Sequence, residues 1–295
     1  MSRFFLENET LKVEIDSFGA ELKSVLRKDN YREYMWYGNK KYWGRTSPVL
    51  FPFVGSVRDK KYTAKGKEYP MGQHGFARDM EFDFLSEAED EIWFELKSNE
   101  ETLKKYPYEF VLQIGYILKE DQVGVIWRVN NPSDEKIFFS IGAHPAFLCP
   151  VHGEDSKTGY GLFFDGVEEI VHHGNTLDTG LAVMEESILK LEDGIAEITD
   201  TFFDKCTYMI EGNQTNLVGI VDKDGAPVVD VMFDTPLFAI WSPEKKNAPF
   251  ICIEPWYGRC DRTDFEGNIE ERDYTNILEP GQNFEGGYSM KFYEV

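Results

Sequence analysis

Basic residues are scarce in this sequence: its 295 residues carry 31 Lys+Arg against 53 Asp+Glu, a formal net charge of −22. Binding to a phosphate backbone draws on clustered cations that release counterions, so this balance argues against nucleic acid as a partner and against an anionic membrane surface. A phosphorylated small molecule would need a local basic pocket working against the global field, whereas a neutral substrate meets no such barrier. Long apolar runs are also missing. None approaches the roughly 20 residues of a membrane helix, and residues 1–20 alternate polar and apolar types without the apolar core of a signal peptide. The four cysteines, Cys149, Cys206, Cys252 and Cys260, form no CxxC pair and read as reduced thiols. A cytoplasmic enzyme or binding protein is the expectation. No H-x-H pair occurs, so metal catalysis is not expected, and no G-x-S-x-G, Walker loop or G-x-G-x-x-G is present.

What the chain does have is apolar and aromatic material: 42% hydrophobic residues, with 23 Phe, 15 Tyr and 6 Trp, enough to fill a large core. Period-2 patterning dominates it. Leu11, Val13 and Ile15 alternate with polar neighbours, and Ile92 to Leu96 forms a further short strand. Phe110 to Leu118 and Val123 to Val129 predict a hairpin, as do Leu217 to Val221 and Pro227 to Phe233 around Asp224-Gly225. One short capped helix is expected after Ser98-Asn99, ending near Pro107. Many short strands without a repeat, linker or composition break predict an all-β protein, a large antiparallel β-sandwich with few short helices, forming a single domain over residues 1–295.

Five histidines make each one worth placing. His152 and the His172-His173 pair sit in polar, turn-like sequence and read as exposed loop residues. His74 and His144 differ. Glycines flank the first in Gly72-Gln73-His74-Gly75, letting the backbone bend sharply or approach a ligand. His144 follows the strand-like Ile137 to Ile141 and precedes Pro145, which cannot donate to a sheet ladder and so re-aims the residue before it. Each reads either as a hydrogen-bonded structural histidine or as a functional one. In Ile251-Cys252-Ile253-Glu254-Pro255-Trp256-Tyr257, a carboxylate interrupts an apolar strand. Burying it unpaired is costly, and partial desolvation raises its pKa toward that of a useful base. Trp256 and Tyr257 read either as a flat face for a sugar ring or as core.

Taken in order, Pro48 to Gly55, Gln73-His74-Gly75-Phe76-Ala77-Arg78-Asp79, Gly142-Ala143-His144-Pro145-Ala146-Phe147 and Cys252 to Gly258 resemble the aldose 1-epimerase (galactose mutarotase) family. The likeness is nearest to its bacterial branch associated with lactose-utilisation genes, and it spans essentially the whole chain. The resemblance implies a β-supersandwich, no cofactor, and interconversion of the α and β anomers of a free aldose. It implies Glu254 as the general base at the C1 hydroxyl, His144 as the general acid at the ring oxygen, and His74 as a hydrogen-bonding partner near that oxygen. Many members carry a sugar-contacting Arg shortly after the glycine matching Gly55, where this chain has Ser56; Arg45 is the candidate in its place. Asp204 matches the family's sugar-binding Asp in position and reads equally as a turn cap.

Two other readings stay open on sequence grounds. One is a hexose-6-phosphate 1-epimerase on the same fold, with Arg45, Arg58 and Arg78 as phosphate candidates. The other is a non-catalytic sugar-binding protein. In every case the expected partner is a small sugar.

Overall fold

Strict alternation builds the middle of the larger sheet. In the strand Gln122–Asn130 every second residue is buried, namely Val123, Val125, Trp127 and Val129. It pairs with Val111–Lys119 in a continuous register that closes at Lys119–Gln122, across a two-residue turn. Glu120 in that turn takes a left-handed φ of 53°, matching the twist that such hairpins need. In the computed structural model, which describes residues 2–295, this hairpin sits inside a nine-stranded antiparallel sheet. Its order is Ile195–Glu197, Gly161–Phe164, Leu217–Val221, Pro227–Phe233, Asn283–Phe292, Gln122–Asn130, Val111–Lys119, Glu91–Lys97 and Asp83–Glu87. The second expected hairpin, Leu217–Val221 with Pro227–Phe233, is therefore present as well. So is the short helix, Glu100–Leu103, where the Asn99 side chain accepts from the backbone N–H groups of Glu101 and Thr102.

The other large sheet has eight strands. Ala182–Lys190, Glu169–Asn175, Tyr208–Glu211, Leu237–Trp241, Phe250–Tyr257, Ile141–Ala143 and Val49–Leu50 lie side by side, and Ala146–Leu148 also pairs with Phe250–Tyr257. One apolar cluster draws on both sheets, with Val125, Trp127 and Val231 from the first and Phe238, Ile240, Ile251 and Ile253 from the second. This is the β-sandwich that the strand pattern predicted. Fully burying one such side chain is worth about 1.5–3 kcal/mol. A four-stranded meander, Arg3–Glu7 to Arg32–Glu33, adds Leu6, Leu11, Val13 and Ile15 to the same core.

Two local expectations fail. Ile137 to Ile141 is not one strand: Ile137–Phe139 pairs with Asn276–Leu278, and Ile141–Ala143 pairs with Phe250–Tyr257. The break falls at Ser140, whose N–H leaves the ladder to donate to the Pro52 carbonyl at 2.8 Å. His172 and His173 are not in a loop. They lie in the strand Glu169–Asn175, where alternation buries His172 against the Tyr208 ring at 4.7 Å.

Candidate active site

The strand Phe250–Tyr257 is buried along nearly its whole length, so it presents both of its faces to protein. Ile251 and Ile253 point into the main core. Cys252, Glu254 and Trp256 fall on the opposite face with smaller clusters, as the two-residue period of a strand requires. Glu254 is 1% exposed. On one side its strand neighbour is Ala239, a residue too small to cover it. On the other, the pairings Gly142–Trp256 and Ala146–Cys252 share one register, which places His144 directly across from Glu254.

Pro145 breaks the ladder at that point. The N–H groups of His144 and Ala146 turn away to the carbonyls of Pro48 and Thr46, at 3.1 and 3.0 Å. The imidazole is thereby set against the carboxylate: His144 Nε2 lies 3.3 Å from Glu254 Oε2. Neither Glu254 Oε2 nor His144 Nδ1 has an aligned hydrogen bond within the protein. Trp43 stacks on the imidazole at 4.6 Å and Trp241 meets it edge-on at 5.4 Å.

His74 arrives from a different loop and is held by a reciprocal pair of bonds. Its N–H donates to the Gly55 carbonyl at 2.9 Å, and its Nδ1 accepts from the Gly55 N–H at 3.1 Å. An acceptor at Nδ1 fixes the proton of the neutral ring on Nε2, so His74 can offer a hydrogen-bond donor. The turn that carries it is strained: His74 has a φ of 65° and Gly75 one of 69°. A side chain at position 75 would drive its Cβ to 2.2 Å from the Phe51 carbonyl oxygen, so only glycine fits there. The two imidazoles meet edge to face at 5.5 Å.

Burial governs the charges. It raises the Glu254 carboxyl well above the usual glutamate range, and the Trp256 indole N–H offsets this in part without making an aligned hydrogen bond. Burial, helped by Arg78 and Arg45, lowers His144 to about 3. It also holds His74 well below the usual histidine value. Burial thus works against a charge on either member of the His144–Glu254 pair.

These groups line a cleft of about 400 Å³, within the size range of small-ligand sites. Arg45 reaches it while bonded to Asp79 at 2.8 Å. Ser56 lines it as well, at the position where the family resemblance implies an arginine. Arg78 lines it with Nη2 donating to the Gln73 carbonyl at 2.7 Å, its Nε 3.9 Å from Asp79 Oδ2 without an aligned hydrogen bond, and its pKa lowered to about 10 by burial. Trp43, Trp241, Gln73, Asn175, Asp178 and Glu244 add polar and aromatic lining, and none of them is among the site residues expected from the sequence. Period 2 along Leu237–Trp241 was the available signal for Trp241, since position 241 shares a face with Ala239. The polar stretch from Asn175 to Gly180 carried none.

Three candidates stand elsewhere. Tyr257 is one residue out of phase with Glu254 and Trp256; it packs against Trp127 and Phe284 and donates to the Asp234 carbonyl at 2.9 Å. Only Trp256 of that aromatic pair lines the cleft. Asp204 does not line it either and accepts from the Lys245 N–H at 3.0 Å, a turn-capping bond beside a left-handed residue. Arg58 donates to the Phe265 carbonyl at 2.8 Å in a separate groove.

The sequence profile of the family described as aldose 1-epimerase matches residues 2–291. The plasmid-encoded protein LacX of Lactococcus lactis subsp. lactis is 31% identical over 274 residues, which cover 90% of this chain and 91% of LacX. A galactose mutarotase related enzyme from Lactobacillus acidophilus superposes with a TM-score of 0.92 at 34% identity, covering 99% of this chain and 98% of its own. A galactose mutarotase-like protein from Lactobacillus casei gives a TM-score of 0.92 at 28% identity, covering 99% and 100%. The chain belongs to the aldose 1-epimerase family. It is an isomerase with a galactose mutarotase-like fold.

Proposed function

We propose that this member of the aldose 1-epimerase family interconverts the α and β anomers of a free aldose of glucose or galactose type by proton transfer alone. The observation that carries the reading is the buried carboxylate set cross-strand against a buried imidazole, 3.3 Å away, at the base of a cleft. A hemiacetal opens when its C1 hydroxyl loses a proton and its ring oxygen gains one, which is work for one base and one acid.

The proton count fits. Glu254 as carboxylate with His144 as imidazolium differs from the neutral pair only by one proton moved across the contact. Ring opening takes the O1 proton onto Glu254 and delivers the His144 proton to the ring oxygen as the C1–O bond breaks and the carbonyl forms. It leaves the pair neutral, the state that burial favours. After rotation about C1–C2, Glu254 returns its proton to the carbonyl oxygen while His144 takes the proton of the ring hydroxyl. His74, with its proton on Nε2, donates to oxygen and stabilises the charge that develops there. Each positioned acid or base contributes on the order of 10²–10⁴-fold.

The cleft also carries Arg45 and Arg78, which favours a second reading with a phosphorylated hexose. Both guanidinium groups already have partners in Asp79 and Gln73, and Asp178 and Glu244 face the same space, so the neutral aldose is preferred. Polarimetry on freshly dissolved α-glucose, α-galactose and glucose 6-phosphate tests both. Faster relaxation with the free sugars is the expected result. Acceleration of the phosphate alone would transfer the assignment to the second reading, and sugar binding with no acceleration would make the protein a non-catalytic binder.

A further inference from the structure

A ring nitrogen of His144, a carboxylate oxygen of Glu254 and the thiol of Cys252 lie within 4.8 Å of one another, and all three residues are buried. The geometry points to a binding site for a borderline-soft divalent cation, Zn²⁺ being the best match, held by His144, Cys252 and Glu254 at the base of the cleft. Imidazole, thiolate and carboxylate are the donor types that zinc takes, at about 2.0–2.3 Å, which sets tetrahedral donors about 3.3–3.7 Å apart. The His144–Glu254 separation of 3.3 Å already has that value.

The strand architecture supplies the rest. Cys252 and Glu254 share one face of Phe250–Tyr257, and His144 stands across from Glu254 with Ala146 across from Cys252. No H-x-H pair is needed, because the donors come from two paired strands rather than from one. Ala146, across from Cys252, sets only a methyl group beside the thiol. His144 and Glu254 line the cleft, so a fourth position opens toward solvent. Binding displaces the thiol proton and the proton shared by the His144–Glu254 pair; the two resulting negative charges offset the dication. The positive field of Arg45 and Arg78 opposes it and limits the affinity. Because the cation takes the atoms that would carry the proton transfers, its occupancy and catalysis exclude one another.

The test reads metal binding directly and does not depend on which sugar the enzyme takes. Purified full-length protein is titrated calorimetrically with Zn²⁺, then with Co²⁺ while the near-ultraviolet thiolate-to-cobalt band is followed. The wild type should bind one ion and show the band. Cys252→Ala should lose the band and weaken Zn²⁺ binding by about tenfold or more, and circular dichroism should report an unchanged fold. Cys252→Ser serves if the alanine variant misfolds. Equal affinity in wild type and variant, a missing cobalt band, or no stoichiometric binding would each overturn the site. A protein that binds zinc as described but fails to accelerate mutarotation would sink the functional proposal and leave this one standing.

Discussion

The two large sheets of the sandwich treat buried polar atoms differently. On the nine-stranded sheet the strands hide apolar residues, and a half-buried carboxylate such as Asp230 is satisfied by the Tyr293 hydroxyl at 2.6 Å. Among the described residues, none of the buried side-chain nitrogens and oxygens without an aligned partner belongs to a strand of that sheet. On the eight-stranded sheet Glu254, Trp256, His173 and Glu211 each leave such an atom, as do His144, between two of its strands, and Arg78 at the cleft. Native proteins rarely leave buried polar groups unpaired, and each costs about 1–3 kcal/mol. One sheet is built to hold the fold. The other concentrates unpaired groups at the cleft, where the proposed sugar would meet them.

That contrast can be broken by experiment. Phe94→Ala, on the nine-stranded sheet, removes a fully buried ring and should cost about 3–5 kcal/mol of stability in denaturant titration. The folded fraction should keep its kcat/KM for the sugar. A selective loss of turnover there would show that the sheets do not divide the labour.

At Glu254 the sign reverses. A carboxyl whose folded pKa is raised binds its proton more tightly folded than unfolded, so its contribution to stability declines as pH rises through the raised value. Glu254→Gln should therefore stabilise the protein, by about 1–3 kcal/mol near neutral pH and by less near pH 5. Thermal melts across that range check it, and a destabilised variant would mean that the carboxylate is satisfied.

The same burial moves the rate. The mechanism needs one proton on the His144–Glu254 pair, so kcat/KM in the wild type should fall as pH rises through the raised pKa of Glu254, where the pair loses it. A profile that instead rises with pH through the ordinary glutamate value of 4.5 would mean that the working base is a solvated carboxylate. The smallest effect is expected at Tyr257→Phe, which removes one hydrogen bond to Asp234 and should cost about 0.5–1.5 kcal/mol with the KM for sugar unmoved. A raised KM would return Tyr257 to the site.

Much of this organisation was legible in the sequence, and the parts that were not share a cause. Alternation marked Leu11, Val13 and Ile15 and both long hairpins, because half-buried strands write their period directly. The Glu254, His144 and His74 segments stood out because each combines a titratable group with a backbone irregularity: a carboxylate inside an apolar strand, a proline after a histidine, glycines around another. Tyr257 was misplaced by treating neighbours in a strand as one surface, although successive side chains point to opposite faces. His172 was misplaced because its strand lies in polar sequence. Asn175, Asp178 and Glu244 reach the cleft only through tertiary pairing, and ordinary loop chemistry gives such residues no local mark.

The central claim is that a desolvated Glu254, paired with His144, performs the proton transfers. It is tested most directly by following fresh α-galactose by polarimetry with wild type and Glu254→Gln at equal concentration. The account predicts rapid relaxation with the wild type and a rate on the order of 10²–10⁴-fold lower with the variant, which should remain folded and still bind sugar. A Glu254→Gln protein that relaxes the sugar as fast as the wild type would contradict it.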